Sequence, residues 1–196
     1  MPEDPDWAWI GKFYEGDEEA FNALFRKHQT RALNLAFRFT RDRQSAEDVV
    51  QEVFIKVYER KVNADPSAKF STWLYRVVVN ASLDLVRRKK TLFFRSFDEE
   101  RRSGESESVQ TLAETIADPA ALRPGEALVE REAQEALRQE IDRLPDKYRA
   151  PILLYQFEEM PYRDIARILG ISEKAVERRL SHAKEHLKKK LQAKGF

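Results

Sequence analysis

The sequence predicts an all-α fold: two small helical domains joined by an acidic flexible linker, the C-terminal domain a helix-turn-helix. Three observations carry this. Apolar residues recur at three- and four-residue steps through most of the chain, with no sustained alternation of the strand type. The composition, 42% hydrophobic and 35% charged with only 6 Gly, is that of a helix-rich protein. Between two periodic stretches lies RRSGESESVQ, a polar run rich in Ser and Glu of the kind that stays extended or disordered. With 196 residues the chain suffices for one large domain or two small ones. The break divides it into residues 1–95, a linker over 96–127, and residues 128–196.

Composition also excludes several classes. No apolar run approaches the roughly 18 residues that cross a bilayer, and the start MPEDPDW is acidic where a signal peptide is basic. A cytoplasmic protein without membrane insertion is expected. The absence of Cys removes disulfides, thiol catalysis and Cys-ligated zinc, and three separated His make no metal site. No metal or cofactor is expected. The net charge of +1 hides a pattern, because acids from Asp98 to Glu135 outnumber Arg101, Arg102, Arg123 and Arg131 while both flanks are basic. Two nucleic-acid-binding modules with an anionic connector would look like this, as would a chance distribution in a charge-rich protein.

Each element has its own signals. Asp4 followed by Pro5 opens a short helix with Trp9, Ile10 and Phe13 inward, which Gly16 stops. Asp17 caps a longer one whose first turn holds Glu18 and Glu19, with Phe21, Leu24, Phe25, His28, Ala32, Leu35 and Phe39 buried. His28 reads as a hydrogen-bonded core histidine, since no second ligand type lies at suitable spacing. Ser45 and Asp48 resemble a capping pair opening a helix through about Glu59, with Val49, Val50, Val53, Phe54 and Val57 inward. Its other face carries Asp48, Gln51, Glu52 and Lys56, either solvated or docked on a partner helix. Residues 60–69 hold Asn63, Asp65 and Pro66 and form a loop.

The segment FSTWLYRVVVNASLDLVRRKK, residues 70–90, follows. Ser71 is its expected N-cap, and Phe70 packs on Tyr75 as a hydrophobic staple. Trp73, Leu74, Val77, Val78, Ala81, Leu85 and Val86 face inward, leaving Arg76, Asn80, Arg87 and Arg88 outward and a cationic end at Lys90. Phosphates suit the cations and a base edge suits the amide, though an amphipathic core helix with a solvated basic end would share the pattern.

After Pro119 and Pro124 comes a helix with Leu128, Leu137, Ile141 and Leu144 inward, then one with Tyr148, Ile152, Leu153 and Phe157 inward. Pro151 lies inside the latter and marks either a kink or a later start. Counting from Tyr162, Ala166 is fifth, Gly170 ninth and Val176 fifteenth, where a helix-turn-helix needs a small residue at the crossing, a turn glycine and a branched apolar anchor. Val176, Leu180, Ala183 and Leu187 point inside. Lys174, Arg178, Ser181, His182 and Glu185 point out, with Glu177 at the edge, and in a helix-turn-helix that row enters the major groove.

The motifs GDEEAFNALFRKH, SAEDVVQEVFIKVY, FSTWLYRVVVNASLDLVRRKK and LPDKYRAPILLYQFEEMPYRDIARILGIS stand in this order. Together they resemble the sigma-70 family of bacterial RNA polymerase sigma factors, in its extracytoplasmic-function group, over roughly residues 15–95 and 130–192. The resemblance implies a promoter-recognition subunit for a stress or envelope regulon, without catalytic activity. Its first domain would bind the polymerase clamp helices and the melted −10 element, and its second the −35 duplex and the polymerase flap. By position, Asp48, Gln51 and Glu52 would bind core polymerase. Asn80 would contact a non-template base, with Trp73 and Arg76 in the melting region and Arg87 and Arg88 near the duplex edge. The loop from Val62 to Lys69, with Asn63 and Lys69, would line the pocket of a flipped base. Lys174, Glu177, Arg178, Ser181 and His182 would meet the −35 element, and an anti-sigma factor is the expected inhibitory partner.

Two residues depart from the family pattern. Glu177 stands where Lys or Arg is usual, and His182 where Arg is usual. A carboxylate there can accept from a cytosine amino group or repel a phosphate, which leaves the −35 sequence open. The alternative reading is a self-sufficient helix-turn-helix repressor or activator. A serine recombinase would need an N-terminal α/β catalytic domain, against which the helical periods of residues 17–90 speak.

Overall fold

The computed structural model describes residues 4–60, 62, 68–103 and 126–196, with side chains through Thr91 and again from Glu132. Every element among the described residues is an α-helix. Contacts divide the chain into two units, Met1–Glu114 and Thr115–Phe196.

In the first unit, Asp4 caps α1 (Pro5–Tyr14) and Asp17 caps α2 (Glu18–Thr40), each through its carboxylate. Arg41, in the left-handed conformation, closes α2. α3 (Arg43–Tyr58) opens one turn earlier than the Ser45–Asp48 pair suggests, because Asp42 accepts from the Ser45 N–H at 3.0 Å. An anion at the positive end of the helix dipole outbids a serine. Ser45 is therefore buried within the first turn, and Asp48 accepts from Gln44 Nε2 at 3.0 Å.

α4 (Phe70–Ser103) corrects the sequence reading at both ends. Phe70, rather than Ser71, stands at its start, and its N–H is satisfied by Asp4 Oδ2 at 2.7 Å. The Phe70 ring is fully buried among Trp73, Trp7 and His28, at centroid distances of 5.5, 5.3 and 5.5 Å. At its far end the helix passes Lys90 and runs to Ser103, so residues 96–103 are helical where linker was expected. Between Phe70 and Ser103 no Gly or Pro interrupts residues of good helix propensity, and the first such breaker is Gly104. The remainder of the expected linker up to residue 125, like Asn63, lies outside the described residues.

The core of this unit is built by α4 packing on α1, α2 and α3. Leu24, Ala32, Leu35, Phe39, Val53, Val57, Leu74 and Val78 are sealed from solvent. On α4 the buried stripe also takes Val79, Ser82 and Leu83, while Val77, Ala81, Leu85 and Val86 are only half-buried. Contact with several helices turns the inward face relative to a single amphipathic stripe. His28 is buried and its Nε2 lies 2.9 Å from Asp6 Oδ2, as a core histidine should be.

The second unit comprises α5 (Glu126–Arg143), α6 (Asp146–Gln156), α7 (Tyr162–Leu169) and α8 (Glu173–Gln192). α5 begins two residues before the expected Leu128, whose side chain is outside the described set. Pro151 lies within α6 and is buried, so it neither starts nor ends the helix. Tyr148, Phe157 and Leu137 are half-buried, while Ala150, Ile152, Leu153, Leu154, Ile141 and Leu144 form the core with Ile165, Ile168 and Leu180. Glu140, 2% exposed, is bonded to Arg143 at 2.7 Å and Lys194 at 2.8 Å, tying α5 to the end of α8. The Lys194 ammonium foremost, then Arg143, holds its carboxyl below the ordinary glutamate value.

Candidate nucleic-acid interface

α7 and α8 form the helix-turn-helix. Gly170 adopts the left-handed conformation, φ 63°, and its N–H bonds the Ala166 carbonyl, as does that of Ile171 at 3.0 Å. A side chain at φ 63° would be strained, which is why the turn takes glycine. Ser172 caps α8 by accepting from the Ala175 N–H at 3.2 Å. Ala166 and Val176 are buried at the crossing, and Leu180, Ala183 and Leu187 continue the inner face.

Lys174, Glu177, Arg178, Ser181, His182 and Glu185 are all exposed on the opposite face of α8. Five of them, from Lys174 to His182, line one open depression of about 530 Å³ together with Ser172 and Ala175. Glu177 makes no ion pair among the described residues, and its carboxylate is exposed. Glu185 is engaged by Lys189 at 2.7 Å, which keeps its carboxyl below the ordinary value and neutralises it locally.

The sequence reading missed a second part of this surface. Lys147 and Tyr148, from the first turn of α6, line a basic cavity of about 290 Å³ with Arg178, Arg179 and His182. Lys147 lies over the Tyr148 ring at 4.8 Å, and Tyr148 lies 6.1 Å from the His182 ring. By its period Tyr148 belongs to the core. Because it is half-buried, one edge serves packing and the other faces this cavity.

On the first unit, Lys69, Arg76, Asn80, Arg87 and Arg88 are exposed along α4 or just before it. Residues 76, 80, 84, 87, 88 and 91 share one helical face at three- and four-residue steps. Arg87 pairs with Asp84 at 3.5 Å, and Arg88 Nε donates to the Asp84 carbonyl at 3.4 Å. Trp73 is not on this row; it is 5% exposed and packed under Phe70.

Asp48, Gln51 and Glu52 are exposed on α3, with Glu52 bonded to Lys56 at 2.8 Å. Beside them lies an apolar groove of about 610 Å³ between α2 and α3, whose lining includes Gln51, Phe21, Phe25, Phe54, Ile55 and Tyr58. Ile55 and Tyr58 are 47% and 56% exposed, an unusual state for such side chains and a mark of a contact surface. The sequence carried a signal for it, since Gln51, Ile55 and Tyr58 fall at steps of four and three on one face.

No helix among the described residues is long and apolar enough to cross a membrane, and none of their His, Asp and Glu side chains cluster as a metal site would require.

Comparison with known proteins shows the family. The family model for sigma-70 region 2 matches residues 24–91, and that for sigma-70 region 4 matches residues 134–187. The extracytoplasmic-function sigma factor SigW of Bacillus subtilis is 33% identical over 182 residues, covering 93% of this chain and 94% of that protein. The sigma-H factor of Pseudomonas aeruginosa is 32% identical over 196 residues, covering 98% and 96%. Among solved structures, CnrH in complex with the cytosolic domain of CnrY shares the fold with a TM-score of 0.65, at 23% identity over 97% of this chain and 99% of that one. The sigma factor RpoE of Bartonella quintana, in complex with the anti-sigma factor NepR, does so with a TM-score of 0.63, at 18% identity over 88% and 96%. With two relatives above 30% identity along nearly their whole lengths, the chain belongs to the sigma-70 family of RNA polymerase sigma factors, in its extracytoplasmic-function group.

Proposed function

We propose that this protein binds core RNA polymerase, reads the −10 and −35 elements of a promoter and assists its melting, acting in the cytoplasm without catalysis of its own. The observation that carries the reading is the presence, in a member of this family, of two separate exposed cationic rows. One lies on a helix-turn-helix, and the other runs along α4 with an amide in its middle.

The chemistry of each row fits a different form of DNA. Asn80 offers a donor and an acceptor on one planar group, which suits the edge of an unstacked base. Arg76 can lie against a base or a phosphate, and Lys69, Arg87 and Arg88 neutralise phosphates on either side. Trp73 supports the row from beneath. On α8, Lys174 and Arg178 suit guanine acceptors, Glu177 a cytosine amino group, and Ser181 and His182 either base edges or phosphate. The acids of α3 and the groove beside them form the polymerase face: Asp48, Gln51 and Glu52 give register, while Ile55 and Tyr58 supply apolar area. The flap is the expected second contact, made by residues 128–196. Because RpoE is solved in complex with the anti-sigma factor NepR, an anti-sigma factor is the expected partner here.

A pull-down with core polymerase, followed by run-off transcription on genomic fragments, tests the reading. Retention on core and a shared promoter motif support it. Binding to duplex DNA without core would favour a self-sufficient repressor or activator.

A further inference from the structure

α1 lies outside both stretches that match the family models, yet its polar side chains converge on one point of the first unit. Asp4 uses its two carboxylate oxygens on two helices. Oδ1 accepts from the Asp6 N–H at 3.3 Å, capping α1, and Oδ2 accepts from the Phe70 N–H at 2.7 Å, at the start of α4. Trp7 Nε1 donates to the Ala68 carbonyl at 2.8 Å. The backbone on either side of Lys69 is thus bonded to α1, while the Lys69 carbonyl accepts from the Thr72 and Trp73 N–H groups and opens α4.

The anchor behind these bonds is buried. Asp6, 3% exposed, is bonded to His28 at 2.9 Å and Lys27 at 2.6 Å, both on α2. A carboxylate this deep is tolerated only with such partners. Trp7 packs edge-on against Phe70, and His28 closes the other side of that ring. The Lys69 side chain remains exposed above a backbone bonded on both sides.

We propose that α1 is a positioning element for promoter DNA. Asp4 and Trp7 fix the backbone around Lys69, so that its ammonium and the Arg76–Asn80 row meet the same stretch of melted strand without first being ordered. Fixing a contact residue in advance removes an ordering cost from binding. This inference rests on α4 being the −10 face.

The test uses full-length protein on core polymerase, with a fluorescein-labelled non-template oligonucleotide covering the −10 region of a promoter recovered by run-off selection. Trp7→Phe keeps a ring against Phe70 and removes the donor, and Asp4→Asn keeps one acceptor oxygen of two. Each should weaken oligonucleotide binding roughly fivefold, about 1 kcal/mol at 1.4 kcal/mol per tenfold, with core affinity unchanged. In a Lys69→Ala background most of that loss should vanish, which a merely structural role would not produce. If Trp7→Phe lowers the melting temperature, Asp4→Asn decides. Wild-type binding by both variants, or an undiminished loss in the Lys69→Ala background, overturns the inference while Asn80→Ala still weakens binding. If the wild-type holoenzyme shows no preference for that strand over a scrambled one, the −10 reading itself fails and takes the inference with it.

Discussion

Lys89 Nζ lies 2.6 Å from the Ser45 hydroxyl, joining the cationic middle of α4 to the first turn of α3. Asp42 completes the tie: it accepts from Lys89 at 3.2 Å and from both the N–H and the hydroxyl of Ser45. The first turn of α3 and the middle of α4 are thereby fixed to each other.

This tie should loosen in acid. The Ser45 hydroxyl foremost, with Lys89, holds the Asp42 carboxyl below its ordinary 3.8. A depressed folded value means that the contribution is present above the ordinary carboxylate range and lost as pH falls through the folded value. Asp42 and Lys89 are 48% and 58% exposed, so the effect on stability at pH 7 stays below about 1 kcal/mol. An NMR titration should place the Asp42 midpoint below 3.8, and Lys89→Met should raise it. Identical midpoints in the two proteins would mean that the contact is absent in solution.

Asn80→Ala should cut discrimination between the −10 strand and a base-substituted strand by roughly ten- to a hundredfold, the value of one bidentate base contact. Core binding should not change, because Asn80 is exposed and supports no neighbour. Loss of core binding instead would make Asn80 a structural residue.

Glu52→Lys, and separately Tyr58→Ala, should weaken core polymerase binding tenfold or more while leaving binding of the isolated −35 duplex intact. Glu52→Lys also removes the partner of Lys56, but that exposed pair is worth only a few tenths of a kcal/mol. Unchanged core affinity in both would return this face to solvent.

On the recognition surface, Glu177→Lys should change which −35 sequences are selected, whereas Lys147→Ala should weaken all of them alike and reduce the salt slope by about one. Electrophoretic shift assays across a salt series separate the two effects. An unchanged sequence profile for Glu177→Lys would put that residue off the base edges.

Much of this was legible in the sequence because local rules decided it. The Asp4 and Asp17 caps, the Ala166–Gly170–Val176 turn and the burial of His28 each follow from a few neighbouring residues and hold in the structure. Where the reading slipped, a distant partner decided instead. Phe70 starts α4 because Asp4, far away in sequence, caps it, and no window around Ser71 contains that information. Trp73 is buried as its period predicts, whereas Tyr148, inward by the same rule, turns an edge into the basic cavity. The groove at Ile55 and Tyr58 could have been found only by asking why apolar residues share a face with Gln51.

The most direct test of the central claim is open-complex formation, read by permanganate reactivity of thymines on a linear promoter fragment selected with this protein. Core polymerase with the wild-type chain should expose non-template thymines across the −10 region. Core with Asn80→Ala should show weak reactivity, and the chain without core none. Full reactivity with core alone, or none with core and the wild-type chain, would contradict the account.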